Sequence, residues 1–563
     1  MFKQNKILSL FFILFLVVIL NLVFYALKVK ADNASTTAAV ANKAPTFTAG
    51  PAENPASTAS SPTLVGNNVT FQATATDKNG DQYYLAICKG QGITAGSNGP
   101  PTCTSGQWCI SSATNSGSQA SCSYQVQQTD ASSNDWYAYV CDKNTSGQCS
   151  SYSQGSGDSG SPFYVNHQPT FTSFSDDSPK DPGSTVTFST TASDQDGDNV
   201  ILYVCKSNDF NGSTCGAGGE WCHSSASASN PTCQYNIPNV FPDDDYAAYG
   251  YIVDSRGLQA SGGSQGSNSV LTVNNVAPSI SASSIQVLDT DESGYLTLTV
   301  EQGQTTGFKV KFTVVDNNSC QKSGGGNEIA SAVVHLRTSD LSQSQCDEAG
   351  EANNNDCYPV QVSCSQDAGS CNGTSDSDTT WTCTFGLQYH ADPTVAGTPK
   401  ASYQWVAAVK ATDDDGANSG LVDSTTYSNE LDTFVAYDLT TSTIAYGSLD
   451  PGTDSSEQSL GLKATGNVGL DSQVSGTDMT SGSDTIAVSQ QHYNLQSGQG
   501  WGSGTALSAT ATEVELNCKK TTITATPETK NIYWILRVPD PQPAGSYSGT
   551  NTITGVIGEP NEW

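Results

Sequence analysis

Residues 69–88 read VTFQATATDKNGDQYYLAIC, and residues 186–205 read VTFSTTASDQDGDNVILYVC. In both, apolar residues alternate with polar ones, an Asp/Asn/Gly cluster follows, and a second apolar run ends in Cys. Alternation has the period of a half-buried strand, and the cluster supplies the residues of a tight turn. Each stretch therefore predicts strand, turn, strand. Asp77 stands as far before Cys88 as Asp194 stands before Cys205. A third version, FKVKFTVVDNNSC, ends at Cys320 with a lengthened turn.

Two further phrases recur around this one. NKAPTFTAG starts at Asn42, NHQPTFTSF at Asn166 and NVAPSISAS at Asn275, which puts Pro45, Pro169 and Pro278 in register. A proline there suits an edge strand entering a new module, where no ladder N–H is required. The closing phrase is WYAYVCDKNTSGQCSS at 136–151, AYGYIVDSRGLQASG at 248–262 and QWVAAVKATDDDGANS at 404–419. The repeat length is that of a β-sandwich. Early ATDxDGD paired with a late V.D..G..S resembles PKD-type and related bacterial immunoglobulin-like modules, over residues 42–438 in three copies. The resemblance implies a sandwich fold and a life as spacer or binding unit on a surface protein. Long Cys-rich insertions between the second and third phrases depart from that pattern.

The fold expected is all-β: tandem immunoglobulin-like sandwiches behind an N-terminal hydrophobic helix. The expected divisions are a signal peptide or membrane anchor at 1–31, a polar low-complexity stalk at 32–62 that enters the first repeat, repeats at 63–166, 167–275 and 276–438, and a C-terminal sandwich at 439–563. In the first of these, Lys3 and Lys6 precede an apolar run from Ile7 to Leu27. That run is long enough to span a bilayer, while Val29-Lys30-Ala31 offers a cleavage site, and both readings export the chain.

The 563 residues include 22 Lys and Arg against 54 Asp and Glu, a net charge of −32. Such a field excludes nucleic acid, which needs clustered cations. The 17 cysteines fall in local groups, with Cys518 alone. No pair has zinc-finger spacing, so disulfides are expected. Aligned on Trp108 and Trp221, Cys88, Cys103, Cys109 and Cys122 match Cys205, Cys215, Cys222 and Cys233. Cys141 and Cys149 are missing together from the second repeat, which pairs them with each other. The partners of the other four-Cys sets, and of Cys320, Cys346, Cys357, Cys364, Cys371 and Cys383, stay open.

No catalytic set emerges. GDSGSP at 157–162 imitates a serine-protease phrase, but His167 is the first histidine of the chain and follows it. The chain is thus expected to be no enzyme. Two candidate sites remain. Asp77, Asn79 and Asp81, with Asp194, Asp196 and Asp198, place oxygens at alternate positions around a glycine, a spacing calcium favours. The competing reading is that these residues cap their own turn backbone. Trp108 and Trp221 could stack on a sugar, or pack over a disulfide. The function expected is a surface or secreted modular protein in adhesion, layer or filament assembly, or spacing. The alternative is a carbohydrate-binding or hydrolase-accessory protein. Partners would be surface proteins or glycans, and the membrane if the N-terminal segment is uncleaved. Calcium is the one cofactor considered.

Overall fold

The computed structural model describes residues 37–348, 354–361, 364–425, 429–522 and 526–563. The signal-or-anchor segment lies outside them. Among the described residues, no helix is long and apolar enough to cross a membrane. The chain forms two compact units, one ending at His167 and one beginning at Gln168.

In the first unit, strand Asn68–Thr76 lies between Thr46–Glu53 and Gln119–Gln125. Its alternation sends Val69, Phe71, Ala73 and Ala75 into the core. The facing sheet has Tyr83–Cys88 between Tyr137–Asp142 and Gln107–Ile110. Phe71 meets Trp136 edge-on at 5.3 Å and Phe163 at 6.1 Å. Trp136 is fully buried, so truncating it would cost about 3–5 kcal/mol. Every residue of Tyr83–Cys88 is buried because the Cys-rich insertion covers the sheet's outer face. There Ala86, Cys88, Cys103, Tyr139 and Cys141 make a second, smaller core, with Ile93 and Ile110 against it.

The polar segment 32–62 is not all spacer. Strand Thr46–Glu53 within it pairs with Asn68–Thr76. Its hold on the core is polar: Trp136 Nε1 donates to Glu53 Oε1 at 2.7 Å, and Glu53 is 2% exposed. Apolar content alone cannot reveal such a strand. The ladder is interrupted at Gly50, where φ is 74° and an added Cβ would sit 2.8 Å from Gln72 O. Only glycine fits that bulge.

The second unit holds three successive cores. The first runs from Phe171 to Val273, the second from Ile285 to Leu431, and the third from Tyr446 to Val538. Each lies between two antiparallel sheets. In the first, Thr170–Asp176, Thr185–Ser193 and Cys233–Asn236 face Glu220–His223, Val200–Cys205, Asp244–Asp254 and Ser267–Val273. In the second, the long pair Gln304–Val315 and Asp378–Gln388 faces Ile329–Thr338 and Trp405–Asp413. The third opens with Tyr437–Leu439 paired to Gln458–Ala464. One short helix, Gln343–Glu348, sits in the insertion of the middle sandwich.

Eight disulfides close local loops: Cys88–Cys103, Cys109–Cys122, Cys141–Cys149, Cys205–Cys215, Cys222–Cys233, Cys320–Cys371, Cys346–Cys357 and Cys364–Cys383. Cys518 is free and buried, and burial pushes its thiol up to about 11.

Candidate functional site

The turn after Asn68–Thr76 is built by Asp77. Its Oδ1 accepts the Asn79 N–H at 2.7 Å and the Asp81 N–H at 3.2 Å. This is the self-capping that Asp provides in turns. Its Oδ2 is buried and accepts nothing. The other two members of the expected trio are engaged elsewhere. Asn79 Oδ1 accepts the Lys43 N–H at 2.9 Å, and Asp81 Oδ2 accepts Asn144 Nδ2 at 2.9 Å.

The second turn repeats the arrangement. Asp194 Oδ1 accepts the Asp196 N–H at 2.7 Å, while Oδ2 is buried without a partner. Asp198 pairs with Arg256 Nε at 2.8 Å. Burial, then the charges of Asp196 and Asp254, hold the Asp194 carboxyl above its usual range. The third repeat does the same with a residue the sequence reading left aside. Asp316 Oδ1 accepts the Asn318 N–H at 2.8 Å, and Oδ2 is buried and unpartnered. Burial first, then Asp413, Asp243 and Asp414, push its carboxyl up to about 7.

The three recurrent phrases meet at this end of the sandwich. In the first unit Asn42 donates from Nδ2 to Asp142 Oδ2 at 2.6 Å. In the second, Asn275 donates to Asp413 Oδ2 at 3.2 Å. The Oδ1 atoms of Asn42 and Asn275 are buried and accept nothing. Asn42 and Asn275 open the first phrase, and Asp142 and Asp413 lie in the third. Sequence reasoning missed all four as site residues, although their fixed place in recurrent phrases was the available signal.

In the second unit this corner is also a junction between sandwiches. Asn318 is wholly buried. It accepts the Val276 N–H at 2.6 Å and donates to Asn274 O at 3.0 Å and Phe241 O at 3.4 Å. Asp243 comes from one sandwich, and Asp316, Glu328, Asp413 and Asp414 from the next. Glu328 is fully buried, and neither carboxylate oxygen receives a hydrogen bond. Burial, then Asp243, Asp414 and Asp316, raise its carboxyl strongly. Lys322 pairs with Asp414. A cleft of about 570 Å³ opens beside these acids.

A buried carboxylate oxygen with no donor is expensive. Here the same atom is left so in three repeats. Carboxylate and amide oxygens are the donors that a hard divalent cation takes. The residue types at these corners, with the unpartnered Oδ2 of Asp77, Asp194 and Asp316, are of the kind such a cation takes.

The two tryptophans are packed. Trp108 donates to Asp135 O at 3.0 Å, meets Phe163 and Tyr124 edge-on, and carries Lys89 Nζ 4.1 Å above its ring. Trp221 is 7% exposed, donates to Ala247 O at 3.0 Å and lies under Lys206. Each Trp adjoins a bonded cysteine, Cys109 or Cys222.

No protein-family model and no curated protein matches the chain. Many solved structures do. The FN1–FN3 domains of chicken CNTN1 are 9% identical and cover 65% of this chain and 96% of their own, with a TM-score of 0.18. A marsupial T cell receptor is 10% identical, covering 62% and 94%, with a TM-score of 0.25. A structure described as bearing on host cell surface retention of a 1.5-MDa bacterial ice-binding adhesin is 15% identical, covering 65% and 93%, with a TM-score of 0.20. These neighbours are β-sandwich proteins, and at such scores they carry nothing about function.

Proposed function

We propose that this is a non-catalytic extracellular protein whose stapled sandwiches act as a stiff spacer or adhesive surface element, with calcium fixing the repeat corners. Eight disulfides belong to a chain that folds in an oxidising compartment. Small polar insertions gain from them what their few apolar side chains cannot supply. The observation that carries the calcium reading is the buried, unpartnered Oδ2 of Asp77, Asp194 and Asp316. An ion there would offset the carboxylate repulsion and join the start, middle and end of each repeat. In the second unit it would join neighbouring sandwiches as well. The sugar-binding alternative has less support, since the rings of Trp108 and Trp221 are occupied by protein.

Thermal melting of the whole chain in calcium and in chelator tests this. Calcium at a hundredfold excess over Kd should stabilise a site-bearing sandwich by about 2.7 kcal/mol. The triple variant Asp77→Asn, Asp194→Asn, Asp316→Asn should lose this gain in the repeat sandwiches, whose unfolding is followed separately from that of the last one. Equal wild-type melting in both conditions would leave the aspartates as turn caps.

A further inference from the structure

The last sandwich carries a different cluster of acids, built without the repeated phrases. Asp471 lies in strand Leu470–Gly476, Glu515 in Thr512–Cys518, and Glu559 between strand Asn551–Ile557 and the turn Pro560–Glu562. One carboxylate oxygen from each of Asp471, Glu515 and Glu559 lies within 4.8 Å of the others. Two oxygens that share one calcium ion at 2.3–2.6 Å can be no more than about 5 Å apart. The three therefore stand at the separation of ligands to a common ion.

The local backbone explains how they converge. The ladder between Leu470–Gly476 and Thr512–Cys518 slips between Leu470 and Ser472, so Asp471 sits at a bulge. Asn517, at φ 54°, turns its N–H onto Asp471 Oδ1 at 2.9 Å. That leaves Asp471 Oδ2 buried with no hydrogen bond, in a residue 1% exposed. A fourth acid lies beside the cluster. Glu562 is 2% exposed, and both its carboxylate oxygens are buried without a partner. Its seat is lined by glycine backbone: a Cβ on Gly558 would fall 1.9 Å from Glu562 Oε2. Lys520 N–H donates to Glu562 O at 2.9 Å, and Gly558 N–H to Gly469 O at 2.8 Å, which fix the turn in place. None of the four acids forms an ion pair with a lysine or arginine among the described residues. Burial, followed by Asp471, Glu559 and Glu515, pushes the Glu562 carboxyl up to about 7.

We propose that Asp471, Glu515 and Glu559, with Glu562 beside them, form a divalent-cation site of the calcium class that ties the Pro560–Glu562 turn to the sheet of the last sandwich. Oxygen-only donors exclude a preference for soft metals, and flexible carboxylates suit the six to eight ligands of calcium better than the strict octahedron of magnesium. The site is independent of the repeat corners and stands or falls without them.

Terbium, a luminescent calcium analogue, is the probe, and Trp563 beside Glu562 is its antenna. With the full chain, tryptophan excitation should produce terbium emission that calcium displaces. Glu515 and Glu559 are exposed, so Glu515→Gln with Glu559→Gln should fold as the wild type does. That double variant should lose this emission, and its calcium affinity at this site should fall by about tenfold or more, since even outer-shell losses cost 10–100-fold. Trp563→Phe should dim the emission while calorimetric calcium stoichiometry stays unchanged. Asp316→Asn should leave the Trp563-sensitised emission intact. Unchanged emission and unchanged stoichiometry in the folded Gln double variant would overturn the proposal.

Discussion

Two junctions in the second unit solve the same problem with opposite charges. Both are clamped by a wholly buried asparagine. Asn318 ties Phe241, Asn274 and Val276. Asn467 accepts the Phe434 N–H at 2.6 Å and donates to Asp432 O at 2.9 Å. Around Asn318 the acids Asp243, Asp316 and Glu328 face one another. Near the other junction, lysines answer the acids. Lys520 Nζ lies 2.6 Å from Asp392 Oδ1 and 3.0 Å from His390 O. Lys400 Nζ lies 2.6 Å from Asp340 and 3.1 Å from Asp356. One junction pairs its acids with Lys520 and Lys400, and the other pairs only Asp414, with Lys322, and leaves Asp243, Asp316 and Glu328 without a lysine among the described residues. The difference teaches that a shared backbone clamp does not decide how a joint is held. The charge around it decides what the joint responds to.

Removing Lys520 should cost most. Lys520→Met leaves Asp392 largely buried with only Lys400 at 3.9 Å, a loss of about 3 kcal/mol. Denaturant unfolding should show that loss equally in calcium and in chelator. A calcium-sensitive loss would break the contrast between the joints.

Calcium should act next, and on the other joint. Glu328→Gln should change stability little in chelator, because burial and its acidic neighbours already keep the carboxyl protonated, and should shrink the gain of about 2.7 kcal/mol that saturating calcium gives. Limited proteolysis between Val273 and Ser279, with and without calcium, reads the same joint directly.

The asparagine clamps come third. Asn318→Ala and Asn467→Ala should each cost about 2 kcal/mol through buried backbone groups left unpaired. Calcium should restore part of the first loss and none of the second. Equal rescue would show that the ion does not act at this joint.

Acid should give the smallest effect, at the lysine-bearing joint. His390 is 2% exposed, and neither ring nitrogen has a hydrogen-bond partner. Burial, then the Lys520 charge, lowers it from 6.5 to about 4, while Asp392 acts in the opposite sense. A lowered folded value means that stability is full above pH 6.5 and falls as pH drops toward 4. At pH 5.5 the loss is about 1.4 kcal/mol. Melting from pH 7 to 5 should show it, and His390→Phe should abolish it.

Strand-turn-strand units and three recurrent phrases were legible because alternation and Asp-Gly turns act over a few residues. The cysteine groups were legible for the same reason, since seven of the eight disulfides span 19 residues or fewer. What stayed hidden depends on distance. Asn275 and Asp413 are 138 residues apart and meet only when the sandwich closes. Asp471, Glu515 and Glu559 were three among 54 acids, and a bulge brings them together. Strand Thr46–Glu53 was legible through the recurrent proline phrase and not through its apolar content, because a carboxylate and backbone hydrogen bonds anchor it. Asp77 and Asp194 were singled out from their turn phrase, where each accepts the N–H two residues on, while Asn42 and Asn275, which reach the corners of their own repeats from the first phrase, were not.

The disulfides have a mechanical consequence. Each closes a loop inside one sandwich, so a pull on the ends of the chain can unravel the strands but cannot draw out what lies between bonded cysteines. The Cys320–Cys371 bond alone withholds 51 residues, about 170 Å of extended chain. A tether made this way has a short contour length even when its sandwiches fail, and its reach under load is set by oxidation rather than by folding.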